Sequence, residues 1–290
     1  MHRQTKTKAL YVTYMGLSEP LIYSQALSYL KAIAQRDIGV SILSFEKKEF
    51  LSKDKILEIK NDLQTSGIQW FFLRYHKRPQ FVSKPYDVIV GTFFIMCIAI
   101  RNKIDIIHAR GTFCALMGLM SCLFLRKKMI FDIRGLMAEE YADAGSWKRS
   151  SFIYNFISCL ERYFIRNADE VVMLNKKTQE IVLKKDKVKS MTIIPTCVDL
   201  ERFNFVTGKG RYEKHKYSQN GKSVLIYTGS LGTWYMLSEM IDFYRELLNS
   251  GFDGLFLILS QTDKGWIEKN IPDDLTKYVI IDLSDPRRVV

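Results

Sequence analysis

The chain crosses between two series of alternating strand and helix patterns at Ile193-Ile194-Pro195-Thr196-Cys197-Val198-Asp199-Leu200-Glu201-Arg202-Phe203. This stretch has the pattern of a strand that ends at a proline and is followed by an acidic residue and an aromatic anchor. A second series of patterns begins at Ser223. We therefore interpret the stretch as a crossing between two α/β domains. Two domains joined in this way leave a cleft between them, and clefts hold substrates.

Seven apolar or β-branched runs up to the crossing alternate with helix-like stretches. Continuous apolar strands that alternate with helices are typical of a parallel sheet with helices on both faces. Three further strands are predicted beyond the crossing. The strands are predicted at 9–14, 39–45, 68–75, 104–108, 128–132, 170–174, 191–194, 224–228, 255–259 and 279–283, and the longest helices at 85–101, 113–125, 151–166 and 236–249.

These patterns predict an α/β fold of two Rossmann-like domains, of which the second is incomplete. The N-terminal domain spans 1–200, the linker 201–222 and the partial C-terminal domain 223–290. Ser284-Asp285-Pro286 has the pattern of a helix start, because a capping residue precedes a proline at the first helical position. The chain stops at Val290, before that helix is finished, so we predict truncation within the second domain. The alternative is a compact, small C-terminal lobe.

The formal net charge of +12 favours anionic partners, which include phosphates, nucleic acid and an acidic membrane surface. The five cysteines form no Cys-x-x-Cys pair, which disfavours a zinc knuckle or a redox motif and fits a reducing cytoplasm. The N-terminus has no signal-peptide pattern. The apolar runs 88–100 and 113–125 are too short to cross a bilayer and indicate buried helices. We therefore expect a cytoplasmic protein.

The sequence lacks the motifs of several enzyme classes. It contains no Gly-x-Gly-x-x-Gly loop, no Walker loop, no His-Glu-x-x-His, no Gly-x-Ser-x-Gly and no Asp-x-Asp. These absences weigh against dinucleotide-dependent oxidoreductases, P-loop enzymes, zinc hydrolases and α/β-hydrolases. They also weigh against metal-dependent nucleotide-sugar transferases of the single-domain type.

Polar residues follow several predicted strands, at the edge where parallel α/β sheets bind ligands. Gly16, after the first strand, lets the backbone approach a ligand, and the helix that follows suits an anion. A plain strand-to-helix turn is the alternative. His108-Ala109-Arg110 and Asp132-Ile133-Arg134-Gly135 end neighbouring strands, where an arginine can bind a phosphate or a carboxylate and an aspartate can hold it in place. A structural Asp–Arg pair is the alternative.

Three further clusters each allow two interpretations. Tyr75-His76-Lys77-Arg78-Pro79 suits an anionic or sugar acceptor, or is a solvated basic turn. Glu139 and Glu140, with Trp147 beyond them, offer a carboxylate and a stacking surface to a sugar, or form the first turn of a helix. Six lysines suit contact with an anionic lipid surface, or form a solvated helix face. They are Lys176, Lys177, Lys184, Lys185, Lys187 and Lys189.

These motifs, taken in order along the chain, resemble a known family. The chain is similar to the family 4 glycosyltransferases of the GT-B fold, with the nearest likeness to a bacterial subgroup associated with cell-surface polysaccharide. The likeness extends over both predicted domains. It rests on 11–14 with Gly16, on Pro20-Leu21 and Ser24-Gln25, on 75–79, on His108-Ala109-Arg110, on 131–135 with Glu140, on 195–199 and on 229–235.

The resemblance implies retaining transfer of a hexose from a nucleotide sugar, without a metal ion or another cofactor. The C-terminal domain would hold the donor, and the N-terminal domain a lipid-linked or polysaccharide acceptor at the inner membrane face. Backbone amides and cations would stabilise the departing diphosphate, and Gly16 belongs to the loop that closes over it. The implied catalytic residues are Arg134, His108 and Glu140, the implied donor-binding residues are Gly16, Gly229, Ser230, Gly232 and Trp234, and the implied acceptor-binding residues are Tyr75, His76, Lys77, Arg110 and Asp132.

Two other hypotheses compete with an active transferase. The donor motif of the family, a pair of spaced glutamates, does not occur within the 290 residues. A catalytically inactive fragment that keeps only acceptor binding is therefore the second hypothesis. A nucleic-acid binder is the third, and it is disfavoured because the basic residues are scattered and form no aromatic-basic strand motif.

Overall fold

The chain forms two compact units in the computed structural model, Met1–Val198 and Asp199–Val290. Most of the predicted linker at 201–222 lies outside the described residues, and so does Ser284-Asp285-Pro286. The structure describes 7–48, 52–197, 222–232 and 235–283.

The first unit contains one parallel sheet, whose seven strands confirm the seven predicted. They are β1 (Lys8–Thr13), β2 (Gly39–Glu46), β3 (Gln69–Arg74), β4 (Ile106–Arg110), β5 (Lys128–Asp132), β6 (Glu170–Met173) and β7 (Met191–Ile193). Their order in the sheet is β3-β2-β1-β4-β5-β6-β7. The direction of strand addition therefore reverses between β1 and β4, and the carboxyl edge at such a switch point is where open α/β sheets bind ligands.

Apolar strands of this kind form because both faces of the sheet are covered. Successive side chains of a strand point to opposite faces. In β1, Leu10 and Val12 belong to one hydrophobic core, whereas Tyr11 belongs to the other. All three side chains are almost completely buried.

Helices pack on both faces of this sheet. The smaller core is closed by α1 (Pro20–Ile22), a π-helical turn (Tyr23–Leu27), α2 (Ser28–Ala34) and α3 (Lys53–Thr65). The larger core is closed by α4 (Gln80–Arg101), α5 (Thr112–Leu125), α7 (Phe152–Asn167) and α8 (Lys176–Lys185). The short α6 (Met137–Asp143) follows β5.

One helix begins earlier than the sequence-based prediction. α4 begins at Gln80 rather than near residue 85, because the carbonyl of Pro79 accepts the N–H groups of Val82 (3.1 Å) and Ser83 (2.9 Å). The first turn therefore forms ahead of Pro85, which lies inside the helix. α6 places Glu139 and Glu140 in its first turn, which is one of the two interpretations that the sequence allowed for them.

The prediction that the apolar runs 88–100 and 113–125 are buried helices is wrong for one face of each. Ile89 of α4 is 67% exposed and Leu123 of α5 is 68% exposed. The physical reason is that both helices form the outer layer of the unit, so the sheet covers only their inner sides. The opposite sides carry apolar residues that the described part of the chain does not cover.

The second unit contains a smaller parallel sheet in the described residues. Its order is β10-β9-β8, from β8 (Ser223–Thr228), β9 (Gly254–Ser260) and β10 (Val279–Leu283). The helices are α9 (Leu237–Asn249), α10 (Lys264–Lys269) and a 3-10 helix (Asp273–Tyr278). Tyr244 of α9 is fully buried, and its hydroxyl donates to the carbonyl of Gly254 (2.9 Å), which fixes α9 to the start of β9.

Candidate functional site

The strand register brings three polar residues together at the switch point of the first sheet. Thr13, Arg110 and Asp132 are register partners across β1, β4 and β5, and each is the last residue of its strand. Arg134 lies two positions beyond β5. The residues predicted at the ends of neighbouring strands are therefore neighbours in space.

A pocket of about 400 Å³ opens at this edge of the sheet. Its lining comes from the ends of the central strands and from the loops and helices that follow them. The polar side chains among the lining residues include two arginines. The lining residues include Tyr14, Gln25, Arg110, Thr112, Phe113 and Arg134.

Gln25 holds the two arginines side by side. Its Oε1 accepts from Arg110 Nη2 (3.0 Å) and from Arg134 Nη2 (3.2 Å). Arg134 Nη2 also donates to Thr196 Oγ1 (3.2 Å). Gln25 lies in the π-helical turn, a rare geometry that occurs often at functional sites. Two guanidinium groups on one amide oxygen form a preorganised site for an anion.

Asp132 is the buried counter-ion of this pair. Its Oδ1 lies 3.7 Å from Arg134 Nη1, and its Oδ2 lies 3.9 Å from Arg110 Nη1 and 3.7 Å from His108 Nε2. Burial alone would raise the pKa of Asp132, but His108, Arg134 and Arg110 together hold it below its ordinary value. Asp132 therefore stays ionised, and two arginines against one carboxylate leave the pocket positively charged.

His108 lies behind Asp132 rather than in the wall of the pocket. Its ring packs edge-on against Tyr11, with 4.9 Å between the ring centroids. Its Nε2 is buried and has no hydrogen-bond partner among the described residues. The catalytic role implied for His108 stays a prediction, and contact with Asp132 is the role that the geometry supports.

The loop after β1, which contains Gly16, is anchored by a buried glutamate from β2. Glu46 is 1% exposed, and it accepts from Leu17 N (2.7 Å), Ser18 N (3.4 Å), Ser18 Oγ (2.6 Å) and Ser44 Oγ (2.6 Å). A side chain at Gly16 would collide with this carboxylate. The amides that follow Gly16 are therefore already bound to a carboxylate of the protein itself.

Tyr75 and His76 belong to a cluster beside the pocket. Lys84 Nζ donates to the hydroxyl of Tyr75 (2.7 Å) and lies over the rings of Tyr75 (4.2 Å) and Tyr14 (4.5 Å). His76 Nδ1 lies 2.6 Å from Oδ1 of the buried Asp87. The structure thus connects two predicted acceptor residues to Tyr14, which lines the pocket. Lys77 is exposed at the edge of this cluster.

Two glutamates near α6 have raised pKa values. Partial burial raises the pKa of Glu140, whose carboxylate lies against the backbone of Gly135. Burial also raises the pKa of Glu161, which is 4% exposed. Glu161 accepts from Met137 N (2.7 Å), Ala138 N (3.3 Å) and Thr112 Oγ1 (3.0 Å). Because Thr112 and Met137 line the pocket, Glu161 supports its wall from behind.

The donor-binding residues implied for the second unit follow β8. Gly229 and Gly232 have φ values of 154° and 155°, which disfavour any residue with a side chain. The carbonyl of Ser230 accepts from the hydroxyl of Tyr227 (2.6 Å), and Leu231 N donates to Thr262 Oγ1 (2.9 Å). These contacts hold the loop in a defined shape. Trp234 lies outside the described residues.

The described residues include no group of three or more His, Cys, Asp or Glu side chains that would hold a metal ion. Metal-independent transfer stays a prediction.

Four residues of the site were not predicted from the sequence. Gln25 was noticed only as part of a resemblance, and Lys84, Asp87 and Glu161 lie inside helices, where no local pattern distinguishes a functional side chain from a solvated one.

Comparisons with known proteins agree on the fold and the family. Residues 25–202, more than half of the chain, match the model of glycosyltransferase family 4. No curated protein matches the chain significantly.

Solved structures of low sequence identity share the fold. They include sucrose-phosphate synthase from Thermosynechococcus elongatus (TM-score 0.66, 11% identity). HepE from Anabaena, solved with UDP and glucose, has a TM-score of 0.63 and 13% identity. A glycosyltransferase from Rickettsia africae has a TM-score of 0.61 and 13% identity. Each alignment covers 97% of this chain and, in that order, 71%, 71% and 69% of the other.

Replacing Glu46 with alanine should destabilise the protein by about 2–4 kcal/mol, because the buried amide and hydroxyl donors that it satisfies would lose their partner. Urea unfolding monitored by circular dichroism measures the change. The exposed Glu180→Ala is the control and should change stability by less than about 0.5 kcal/mol. A similarly small effect of Glu46→Ala would contradict an anchoring role.

Replacing Glu161 with glutamine should alter the pH dependence of stability. Burial raises the folded-state pKa of Glu161 above its ordinary value of 4.5. The protonated carboxyl of Glu161 therefore makes its full contribution to the free energy of unfolding below pH 4.5. This contribution is lost as the pH rises through the raised pKa. The free energy of unfolding of the wild type, relative to Glu161→Gln, should fall over this interval. A pH-independent difference between the two proteins would show that the pKa is not raised.

Proposed function

The chain belongs to glycosyltransferase family 4, and we propose that it transfers a hexose from a nucleotide sugar to a lipid-linked or polysaccharide acceptor with retention of configuration. One observation carries this proposal: Arg110 and Arg134 lie side by side on Gln25 in a pocket at the switch point of the first sheet. Such a site suits the phosphates of a donor or of a phosphorylated acceptor. The proposed location is the cytoplasmic face of the inner membrane.

In this proposal Arg134 stabilises the negative charge that develops on the departing diphosphate. Fixed cations are most effective where charge forms in the transition state, because they need no reorganisation. Gln25 and Asp132 set the position of the guanidinium group. The two arginines supply the positive charge that other transferases obtain from a metal ion, so the proposed reaction needs none. Gly16, Gly229, Ser230, Gly232 and Trp234 are the proposed donor contacts.

The acceptor is proposed to bind at Arg110 in the wall of the pocket and at Tyr75, His76 and Lys77 beside it. Aromatic rings and hydrogen-bonding groups in one cluster suit a sugar. The raised pKa of Glu140 suits a group that exchanges a proton with the acceptor hydroxyl. His108 is proposed to act through Asp132.

A panel of UDP- and GDP-sugars, incubated with the protein and a membrane extract as acceptor, tests the function. HepE was solved with UDP and with UDP-glucose, which makes UDP-sugars the first donors to assay. We expect donor-dependent transfer of labelled sugar. The alternative is an inactive fragment that keeps only acceptor binding, at the pocket within the first unit. Calorimetry that detects acceptor binding but no nucleotide-sugar binding would favour this alternative.

Replacing Arg134 with alanine should lower kcat by about 10²–10³-fold, because the charge of the transition state would lose a fixed cation. Gln25→Ala should lower kcat less, since it leaves both guanidinium groups in place but loosens them. The control Arg36→Ala makes the same chemical change at an exposed residue outside the pocket and should leave kcat unchanged. Equal kcat values for Arg134→Ala and Arg36→Ala would refute the assigned role of Arg134.

A further inference from the structure

The outer face of α4 is an apolar stripe that the described part of the chain leaves uncovered. Val82, Tyr86, Ile89, Phe93 and Ile100 are 53–67% exposed. Their spacing of three, four or seven residues places them on one side of the helix. We call these residues the α4 stripe. A helix on the surface of a water-soluble domain normally carries polar residues on this side.

The opposite side of α4 is part of the protein core. Val88, Ile95 and Ala99 are buried in the larger hydrophobic core. The segment Val82–Arg101 is long and apolar enough to cross a membrane, but 44% of its most apolar window is buried within the protein. A helix that is packed against a sheet along its length can lie on a membrane, but it cannot cross one without leaving that core.

The neighbouring helix extends the apolar surface. α5 packs beside α4 in the same layer. Near its C-terminal end Leu123 and Phe124 are 68% and 74% exposed. Exposed apolar side chains on two neighbouring helices are typical of an interaction surface.

The exposed charges of α4 and α5, and those directly before α4, are basic. The only acidic residue within α4 and α5 is Asp87, which is 1% exposed and pairs with His76. Exposed basic residues lie at both ends of α4: Lys77 and Arg78 precede it, and Arg101 ends it. An apolar helix face between basic groups matches an anionic lipid surface, in which the apolar side chains enter the acyl boundary and the cations reach the headgroups.

We propose that the α4 stripe, together with the exposed end of α5, lies on an anionic lipid bilayer. This surface differs from the lysine-rich α8, which offers charge but no comparable apolar stripe. Binding by the α4 stripe combines burial of apolar side chains with attraction between charges. Membranes with anionic lipid should therefore be preferred, but binding should also depend on the apolar residues themselves.

The position of α4 relative to the pocket gives this surface a function, and this step rests on the proposed acceptor. Lys84 of α4 lies over the rings of Tyr14 (4.5 Å) and Phe113 (5.7 Å), both of which line the pocket. The N-terminal end of α4 therefore borders the pocket, on the side of the helix opposite to the stripe. A lipid-linked acceptor could keep its tail in the bilayer while its headgroup enters the pocket.

Co-sedimentation of the 290-residue chain with sucrose-loaded vesicles tests the proposal without any donor or acceptor. We expect binding to vesicles of phosphatidylcholine mixed with phosphatidylglycerol, and weaker binding to phosphatidylcholine alone. The double variant Ile89→Ser with Phe93→Ser should lower the partition coefficient about tenfold or more, because two apolar side chains no longer enter the bilayer. Failure of the wild type to bind anionic vesicles would overturn the proposal and leave the proposed transfer reaction untouched.

Two control variants distinguish the α4 stripe from the rest of the protein surface. Phe243→Ser removes a phenylalanine of equal exposure, 60% against 59% for Phe93, from α9 of the second unit, and should not change binding. Replacing Lys176, Lys177, Lys184 and Lys185 with glutamine should lower binding less than the double variant does. If the lysine variant abolishes binding while the double variant binds normally, α8 is the membrane surface and the proposal is wrong.

A fluorescent label on Cys97 supplies a readout that does not depend on a destabilised variant. Cys97 is exposed on α4, and Cys159 and Cys197 would be replaced by serine. Anionic vesicles should shift the emission of this label to shorter wavelength, but not that of a label at Lys176→Cys. If the label instead reports self-association in the absence of vesicles, with a doubled mass in light scattering, a second copy covers the stripe and the proposal is overturned.

Discussion

The connection from β3 to β4 is the constraint on which both the pocket and the exposed surface depend. Parallel strands need a crossover, and a right-handed one places the connecting helix on a fixed face of the sheet. Because β3 lies at one edge and β4 lies beside β1, α4 must run back across the sheet. This crossover separates the helices into two layers. It also leaves a crevice at the carboxyl ends of β1 and β4, which the pocket occupies.

Buried carboxylates hold the loops at this edge. Glu46, Asp87, Asp132 and Glu161 are each at most 4% exposed, and each binds donors or cations from a different part of the chain. Desolvation of a carboxylate is costly, so such a group adds little net stability, but removal of one partner is expensive. The four acids therefore act mainly as positional constraints: they fix the loop after β1, the aromatic cluster, the arginine pair and α6.

The strands of the first unit were predictable because a buried parallel strand is a continuous apolar run, and such runs are visible locally. Arg110, Asp132 and Arg134 were predicted for the same reason, since they end those runs or closely follow them. Gln25 was not assigned to the site, because its partner Arg134 lies 109 positions away and no local pattern joins them. The start of α4 was predicted near residue 85, but bonds to the Pro79 carbonyl begin the helix at Gln80. Burial of the apolar helices was inferred from composition, which cannot distinguish a helix covered on all sides from one covered on a single side.

The apolar side of α4 adds little to the stability of the fold, since its side chains keep more than half of their surface exposed. Exposed apolar residues also favour aggregation, which the net charge of +12 opposes. A stripe of this length is therefore best explained by a second environment in which its side chains leave water. An acceptor with a lipid tail would impose that environment, because the tail cannot leave the bilayer and the headgroup must be met at its surface. The crossover that creates the pocket also places α4 beside it, so one helix borders the pocket on its inner side and carries the stripe on its outer side.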